Sequence, residues 1–346
     1  MIRIITTLLF AGLALHGFGT EKRPRDYVDP NIGTVHSRWF FYTPAAVPFG
    51  MAKPAPSTNG HAGTKTGWGA VGYDGRHTSI EGFPNFHEFQ IGGLVYMPTV
   101  GNVITVPGGL ENPDEGYRSR FDKQDEEAHP GYYSVVLKDY GIRAELTATP
   151  RVSLQRYTYP ESSQSNIIID IGHWQGESGP VKDASIAYAD DGTIEGWIET
   201  EPVYVRTYQP GSTLRMYFSA VVDKRPASVG AFVDNRLTPG KRTSGGKGCG
   251  LYLTFATTKG EQVCLKTGLS YTSVANARLN RLTEAGKAGF DKVRKSAEKV
   301  WDDHLGRILV EGGGEAHKTK FYTGLYHALL GRGLASDVNG AYPKND

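Results

Sequence analysis

Apolar and polar residues alternate along much of the chain up to about residue 270. Residues 142–149 read IRAELTAT, with an apolar side chain at every second position, which is typical of a half-buried strand. Residues 166–171 read NIIIDI, a run that predicts a strand buried on both faces. Further runs at 215–222 and 251–256 are separated from these by clusters of Gly, Pro, Asn and Asp. Many short strands without intervening helices predict an antiparallel β-sandwich.

The pattern becomes helical after Tyr271. Residues 276–282 and 290–308 carry apolar side chains at helical spacing, and the glycines at 312–314 separate these two predicted helices from a third. In the third helix, the apolar stripe consists of Phe321, Leu325, Ala328 and Leu329. We expect this stripe to be exposed or poorly packed, because no later helix is present to cover it. We therefore expect residues 312–346 to add little to the stability of the sandwich.

Composition and charge exclude several classes of protein. The 346 residues include 44 Gly, 19 Pro and 19 Tyr, which favours tight turns and strands with aromatic faces. A formal net charge of +2 without a run of Lys or Arg argues against nucleic acid as a partner. Residues 1–19 predict a signal peptide, since Arg3 precedes an apolar stretch that is too short to span a membrane. We expect export to the periplasm or the extracellular space.

The two cysteines are Cys249 and Cys264. They flank residues 251–256 and a predicted hairpin that turns near Lys259 and Gly260. In such a hairpin the two side chains are out of register for a cross-strand bridge. The sequence is compatible with a disulfide between them, because an exported protein can form one, but this spacing does not require it. Neither cysteine lies in a metal-ligand pattern.

A glycine-rich segment is the first candidate binding element. Residues 67–74 read GWGAVGYD, so Trp68 and Tyr73 lie among glycines that let a ligand approach the backbone. Sugars present flat C–H faces that stack on aromatic rings, which makes an exposed Trp in such a loop a candidate carbohydrate contact. The alternative is a Trp in the core of the sandwich.

A second candidate cluster follows at residues 82–90, which read GFPNFHEFQ. Here Phe83, His87 and Glu88 are candidate substrate contacts, since a His and a carboxylate can both hydrogen-bond sugar hydroxyls. The alternative is that the ring nitrogens of His87 form hydrogen bonds with backbone groups in a turn. No nucleophile turn, zinc-binding helix, phosphate-binding loop or Cys/His pair is present in the sequence. No carboxylate pair is assigned as acid and base, because sequence spacing does not give their separation in a β protein.

A series of segments in fixed order resembles glycoside hydrolase family 92, a family of secreted bacterial exo-α-mannosidases. The segments are 27–34 (YVDPNIGT), 46–51 (AVPFGM), 72–74 (GYD), 80–83 (IEGF) with His87, 97–98 (MP), 131–135 (GYYSV), 144–151 (AELTATPR), 310–313 (VEGG), 320–323 (KFYT), 326–327 (YH) and 336–338 (SDV). The ordered set is far more specific than any one segment.

The resemblance implies a division of the chain and a function. It implies a signal peptide at 1–19, a β-sandwich of the supersandwich type at 20–270, a helical linker at 271–311 and the start of an (α/α) barrel catalytic domain at 312–346. The intact enzyme would be a calcium-dependent, inverting exo-α-mannosidase that acts on mannose-containing glycans. In the family the general acid, the general base and the calcium ligands lie in the helical domain beyond this point. No catalytic or metal-binding residue therefore maps onto this chain.

We accordingly expect the chain to supply sugar contacts and support for a missing C-terminal catalytic domain, and to be inactive alone. The expected contacts are Trp68, Tyr73, Phe83, His87 and Glu88. A stand-alone, non-catalytic carbohydrate-binding or scaffold module is the alternative interpretation.

Overall fold

The structure is a computed structural model that describes residues 22–35, 41–60, 72–88, 91–331 and 333–344, and at Glu88 only the backbone. The predicted signal peptide and Trp68 lie outside the described residues. None of the described helices combines the length and the apolar character that crossing a lipid bilayer requires.

Seventeen strands and four α-helices make up the described part of the chain. The strands are β1 (Ser79–Ile80), β2 (Phe83–Glu88), β3 (Ile91–Val100), β4 (Ser119–Arg120), β5 (Glu127–His129), β6 (Tyr132–Leu137), β7 (Ile142–Ala148), β8 (Val152–Tyr159), β9 (Ser162–Asp170), β10 (Val181–Tyr188), β11 (Ile194–Thr200), β12 (Leu214–Val222), β13 (Ser228–Val233), β14 (Arg236–Pro239), β15 (Thr243–Gly245), β16 (Cys249–Thr257) and β17 (Glu261–Ser270). The helices are α1 (Val203–Tyr208), α2 (Val274–Glu284), α3 (Phe290–Leu305) and α4 (Glu315–Leu330).

Two large antiparallel sheets form the sandwich. One has nine strands in the order β15-β10-β11-β12-β17-β8-β7-β6-β5, and the other has six in the order β14-β13-β16-β9-β3-β2. Their inner faces share one apolar core, to which Leu146 and Phe218 contribute from the first sheet and Ile168 and Leu251 from the second. The predicted fold class, a β-sandwich followed by helices, is confirmed.

Helix α3 explains why β7 is more buried than its alternating sequence predicts. The polar residue Glu145 points away from the sandwich core, yet it is buried. Its carboxylate accepts hydrogen bonds from Tyr132 Oη (2.9 Å) and Arg156 Nε (2.8 Å). Arg156 in turn pairs with Asp291 of α3 at 3.0 Å. The outer face of the sheet is therefore covered by a polar layer and a helix, which the alternation does not reveal.

The predicted hairpin between the cysteines is wrong. Cys249 begins β16 in the six-stranded sheet, whereas Cys264 lies in β17 in the nine-stranded sheet. The turn near Lys259 and Gly260 thus carries the chain from one sheet to the other. A sheet-crossing connection and a hairpin of this length have the same turn chemistry, so the sequence does not separate them. Both cysteines are free and buried, and burial raises the pKa of each thiol to about 12.

The expectation that the stripe on α4 is exposed or poorly packed is confirmed only for Phe321, which is 40% exposed, and for the exposed Ala328, because Leu325 and Leu329 pack half-buried on other apolar side chains. The buried side chains of α4 are Tyr322, Thr323, Tyr326 and Leu330. Tyr326 packs against Trp301 of α3, with ring centroids 4.7 Å apart. The partner of α4 is therefore an earlier helix, and the buried face lies one residue further along than the predicted stripe.

The segment after α4 is tied to the sandwich by a buried carboxylate. Asp337 is 2% exposed. Its Oδ1 accepts a hydrogen bond from Asn280 Nδ2 (2.7 Å), and its Oδ2 accepts from Ser270 Oγ (3.0 Å) and Thr272 Oγ1 (2.5 Å). Arg151 Nε also donates to the carbonyl of Ser336 at 2.6 Å. Residues beyond 312 are thus integrated into the fold, and their removal should destabilise it.

Candidate functional site

The candidate site lies at the edge of the six-stranded sheet where β2 ends and β3 begins. His87 is the next-to-last residue of β2, pairs with Gly92 of β3, and is 1% exposed. The ring of Tyr42 lies 4.2 Å from the His87 ring, and Tyr42 Oη donates a hydrogen bond to the His87 carbonyl at 2.6 Å. Gln175 Nε2 approaches His87 Nε2 at 3.4 Å, with donor and acceptor roles that depend on the histidine tautomer. His87 is therefore held on two sides by polar partners.

Three glycines surround the Gln175 side chain, and we call them the glycine cradle. A Cβ atom built on Gly60, Gly72 or Gly92 would lie 2.7, 2.4 or 2.5 Å from a Gln175 side-chain atom. Such approaches are below any van der Waals contact distance. Gly72 also has a φ of +66°, which side chains with a Cβ rarely adopt. The cradle therefore requires glycine at these positions for Gln175 to lie where it does.

The cradle also fixes both ends of the segment 61–71, which contains Trp68. The segment follows Gly60 and precedes Gly72, and the backbone N–H of Thr58 donates to the Gly72 carbonyl at 2.8 Å. A Cβ on Gly72 would lie 2.8 Å from Gly60 Cα, so the two ends are in direct contact. Gly60 and Gly72, the described residues on either side of positions 61–71, therefore both lie beside Gln175.

A buried ion pair supports the start of this segment. Glu81 and Arg118 are joined at 2.9 Å, with side chains 1% and 0% exposed. Glu81 Oε1 accepts hydrogen bonds from Ser57 Oγ (2.7 Å) and from the backbone N–H of Gly60 (2.5 Å). Arg118 Nη1 donates to the Thr58 carbonyl at 3.1 Å. The ion pair thus supplies an acceptor to the backbone N–H of Gly60 and a donor to the buried Thr58 carbonyl.

His173 connects this pair to a second carboxylate. Its Nε2 lies 3.4 Å from Glu81 Oε1 and its Nδ1 lies 3.7 Å from Asp170 Oδ2. Burial favours the neutral imidazole, but the hydrogen bonds and charges of Asp170 and Glu81 outweigh it and raise the pKa of His173 to about 9. Burial likewise acts to raise the pKa of Glu81, yet His173 and Arg118 hold it below its usual value. We call Glu81, Arg118, His173 and Asp170 the buried charge network.

Two of the predicted contacts are buried away from any open surface. Tyr73 is 1% exposed, and its hydroxyl donates to Glu126 Oε1 at 2.8 Å and accepts from Lys123 Nζ at 3.2 Å. Phe83 is fully buried in the main core, with its ring centroid 6.2 Å from that of Tyr157. Both therefore support the structure around the site. Like His87 and Gln175, which are each 1% exposed, they present no open face in this conformation.

The other predicted contacts are only partly described. Trp68 lies outside the described residues. Glu88 ends β2 opposite Ile91, and its side chain is outside the described part of the chain. Of the five predicted contacts, the structure therefore places His87 at the centre of the candidate site.

Sequence reasoning missed Gln175, Tyr42 and the buried charge network. One signal was available for Gln175 and His173. Both follow directly on the apolar run at 166–171, and polar residues at the end of a buried strand are frequent site residues. Nothing in the sequence indicated that Arg118 pairs with Glu81, because 37 positions separate them.

Glu81 is not suited to act as a general acid. Glu81 is ionised, buried and fully engaged, whereas a general acid needs a raised pKa and access to the leaving group. Among the described residues, no group of three or more His, Cys, Asp or Glu side chains is placed to hold a metal ion. The part of the chain that the structure describes therefore offers no fitting calcium site, and we derive no step through calcium.

Comparison with known families assigns the chain. Residues 27–270 match the family described as "Glycosyl hydrolase family 92 N-terminal domain", and residues 276–346 match the "Glycosyl hydrolase family 92 catalytic domain". The first match covers more than half of the chain. The chain belongs to glycoside hydrolase family 92, as the motifs predicted.

Individual relatives agree with this assignment. A family GH92 α-mannosidase from Bacteroides thetaiotaomicron, solved in complex with mannoimidazole, is 29% identical with a TM-score of 0.83 over 93% of this chain and 42% of its own. An uncharacterized secreted glycosidase from Arthroderma benhamiae is 26% identical over 333 residues, which are 88% of this chain and 41% of the relative. A family GH92 inverting mannosidase from B. thetaiotaomicron is 22% identical, covers 92% of this chain and 41% of its own, and has a TM-score of 0.77, so it supports the fold alone. The chain thus spans about two fifths of the length of these relatives.

Proposed function

We propose that this chain is the N-terminal part of an exported exo-α-mannosidase that removes terminal mannose from glycans. The observation that carries the proposal is the similarity to the solved B. thetaiotaomicron α-mannosidase, at 29% identity over 93% of this chain. The relative described as a secreted glycosidase and the predicted signal peptide support export. We propose an inverting reaction in which one carboxylic acid protonates the leaving oxygen and a carboxylate activates water across the ring.

In this proposal the chain forms one wall of the sugar site. Trp68 stacks on the sugar from a segment whose ends are fixed by the glycine cradle. His87 and Gln175 lie at the base of that segment, 3.4 Å apart, and supply polar groups there. Glu88 is retained as a proposed polar contact. The acid, the base and any calcium ligands would come from the remaining length of the protein.

Activity of the complete protein tests this proposal. The product of the full coding sequence is expected to release mannose from an aryl α-mannoside, and proton NMR at early times should detect β-mannose as the first product. Added EDTA should reduce the rate and calcium should restore it. The 346-residue chain alone is expected to show no turnover. Absence of α-mannosidase activity in a folded full-length protein, or α-mannose as first product, would refute the corresponding part of the proposal.

Substitution of Trp68 tests the proposed wall. In the full-length protein, Trp68→Ala should weaken mannose binding or turnover by on the order of 1 kcal/mol, by analogy with aromatic pair energies. The matched control is Trp197→Ala, since Trp197 lies on the outer face of β11 in contact with Arg215. Equal effects of the two substitutions would show that Trp68 has no special contact with the sugar.

A further inference from the structure

A separate pocket opens at the same edge of the six-stranded sheet, beyond the buried charge network. It has a volume of about 490 Å³ and is lined by residues 105–109 together with Glu115, Asp170, Gly172, Phe232, Asn235 and Gly248. Its size lies within the roughly 300–1,000 Å³ that is usual for small-ligand sites. We call it the side pocket. Asp170 of the buried charge network lines it, and residues 171–174 connect Asp170 to Gln175 of the candidate site.

Two glycine–glycine contacts hold the walls of the side pocket in place. A Cβ on Gly116 would lie 2.1 Å from Gly108 N, and a Cβ on Gly172 would lie 2.4 Å from Gly248 Cα. The backbone N–H of Tyr117 also donates to the carbonyl of Val106 at 2.8 Å. The backbone segments therefore meet without intervening side chains. A pocket preformed in this way loses little conformational entropy when a ligand binds.

The lining combines a buried acceptor with apolar faces. Asp170 is 6% exposed, and its Oδ1 accepts a hydrogen bond from the backbone N–H of Gly172 at 2.8 Å. Its Oδ2 accepts from Tyr117 Oη at 3.4 Å and lies 3.7 Å from His173 Nδ1. Carboxylate oxygens accept more than one hydrogen bond each, so Oδ1 retains capacity for a hydroxyl donor. Asn235 adds an amide that both donates and accepts, while the half-buried Val106 supplies apolar surface.

The charge of the lining narrows the class of ligand. Its charged side chains are the carboxylates of Asp170 and Glu115, and no Lys, Arg or His is among the described residues that line it. A phosphate or carboxylate ligand would be repelled. A bound metal ion is not favoured either, because the described residues contain no cluster of three metal-ligating side chains. A neutral ligand with many hydroxyl donors and an apolar face fits best.

We propose that the side pocket binds a neutral hexose unit of a glycan, apart from the sugar held at the candidate site. This inference rests on the proposed function for the identity of the sugar, which we take to be mannose. Asp170 accepts a hydrogen bond from one sugar hydroxyl, Asn235 bonds a second hydroxyl, and Val106 contacts the C–H face.

Blocking the pocket provides the test. Gly109 lines it and has no atom within 4 Å of a built Cβ, so Gly109→Leu fills space without a clash. The matched control is Gly324→Leu on the exposed face of α4, where a built Cβ also meets no atom within 4 Å. The 346-residue chain is titrated with methyl α-mannoside and with an α-linked mannobiose by isothermal calorimetry and NMR. We expect Gly109→Leu to weaken binding at least tenfold and Gly324→Leu to leave it unchanged.

A second variant removes one polar contact with little effect on the backbone. Asn235 has a φ of +65°, so Asn235→Gly deletes the amide while keeping a residue that accepts this conformation. We expect roughly threefold to tenfold weaker binding, as for loss of one hydrogen bond. Failure of both saccharides to bind the wild-type chain, or binding that neither pocket variant alters, would overturn the inference. Neither result bears on α-mannoside hydrolysis by the full-length protein, which tests the proposed function separately.

Discussion

The buried pair of Glu81 and Arg118 allows a sharp test of how the candidate site is supported. Replacing Arg118 with Met keeps most of the side-chain volume but removes the charge facing Glu81, 2.9 Å away. Loss of one partner from a buried ion pair costs about 3–5 kcal/mol, because the remaining charge is left without its counterion. His173 keeps part of the compensation, since its Nε2 lies 3.4 Å from Glu81. We therefore expect Arg118→Met to lower the free energy of unfolding by about 3 kcal/mol.

A neighbouring residue provides the control. Arg120 pairs with Asp114 at 2.8 Å and with Asp139 at 3.2 Å, but its side chain is 43% exposed and those of the two partners are 75% and 33% exposed. Exposed pairs of this kind add little to stability, so Arg120→Met should leave urea unfolding nearly unchanged. The assay is urea denaturation monitored by fluorescence at pH 7, with equal m-values as the condition for comparison.

A double-mutant cycle separates the interaction from the two single effects. Glu81→Gln combined with Arg118→Met should be less destabilising than the sum of the two, by about 2 kcal/mol or more. Strict additivity, or equal effects of Arg118→Met and Arg120→Met, would refute the claim that the buried pair is an interacting unit.

Three further outcomes follow from named contacts. Since the pKa of His173 is raised to about 9 from 6.5, its contribution to the free energy of unfolding is fully present below pH 6.5 and is lost as the pH rises through about 9. This contribution is at most about 3 kcal/mol, so His173→Gln should flatten the decline of the urea midpoint between pH 6.5 and 9. An unchanged pH profile would contradict this. Asp337→Ala should destabilise the chain by about 2–3 kcal/mol in thermal unfolding, because three donors lose their acceptor. Asp337→Asn should cost less, since the hydroxyls of Ser270 and Thr272 can accept hydrogen bonds from an amide. Equal losses of stability would argue against the hydrogen bonds as the cause. Gly92→Ala should destabilise the chain by about 1–3 kcal/mol, because the added Cβ would lie 2.5 Å from Gln175 Cβ. Adding Gln175→Gly should restore part of the lost stability. If it restores none, the Gln175 side chain does not cause the clash.

The sequence predicted the fold class because its periodic patterns are local. The alternation at 142–149 and the apolar run at 166–171 correspond to β7 and β9, and the helical spacing after residue 273 corresponds to α2 and α3. The prediction of which strands pair with each other was wrong. The chain segment between Cys249 and Cys264 looks like a hairpin, yet β16 and β17 belong to different sheets. Which sheet a strand joins is decided by partners far along the chain, and periodicity carries no information about them.

The buried face of α4 was predicted wrongly for a related reason. Its sequence carries apolar side chains on more than one face, so the stripe of Phe321 and Leu325 was as plausible as the face of Tyr322 and Tyr326. The choice was decided by Trp301, whose ring lies 4.7 Å from that of Tyr326 and whose indole N–H donates to the Ala46 carbonyl at 2.8 Å. A sequence pattern states that a helix has a buried face, but the partner determines which face it is.

The candidate site was only partly predictable, because its polar residues act through contacts between distant segments. His87 was identified from its residue type and its neighbours. Gln175 lies 88 positions away, and only the folded chain brings it within 3.4 Å of His87. The glycines at 60, 72 and 92 were visible as glycines, but their purpose depends on the side chain that they enclose.

The buried charge network raises the question of why charge is used at all beneath this site. Replacing a buried ion pair with apolar residues of similar volume is often neutral or stabilising elsewhere. Here the pair also satisfies the N–H of Gly60 and the carbonyl of Thr58, which belong to the segment leading to Trp68. An apolar pair would leave the Thr58 carbonyl without its donor, and it would leave the N–H of Gly60 with only the longer hydrogen bond to Ser57 Oγ at 3.3 Å. An unsatisfied buried group costs about 1–3 kcal/mol. Glu81→Leu with Arg118→Met should therefore destabilise the chain, even though it removes both buried charges. The charges are retained because irregular backbone at the end of the sandwich needs strong, directional partners that an apolar core does not supply.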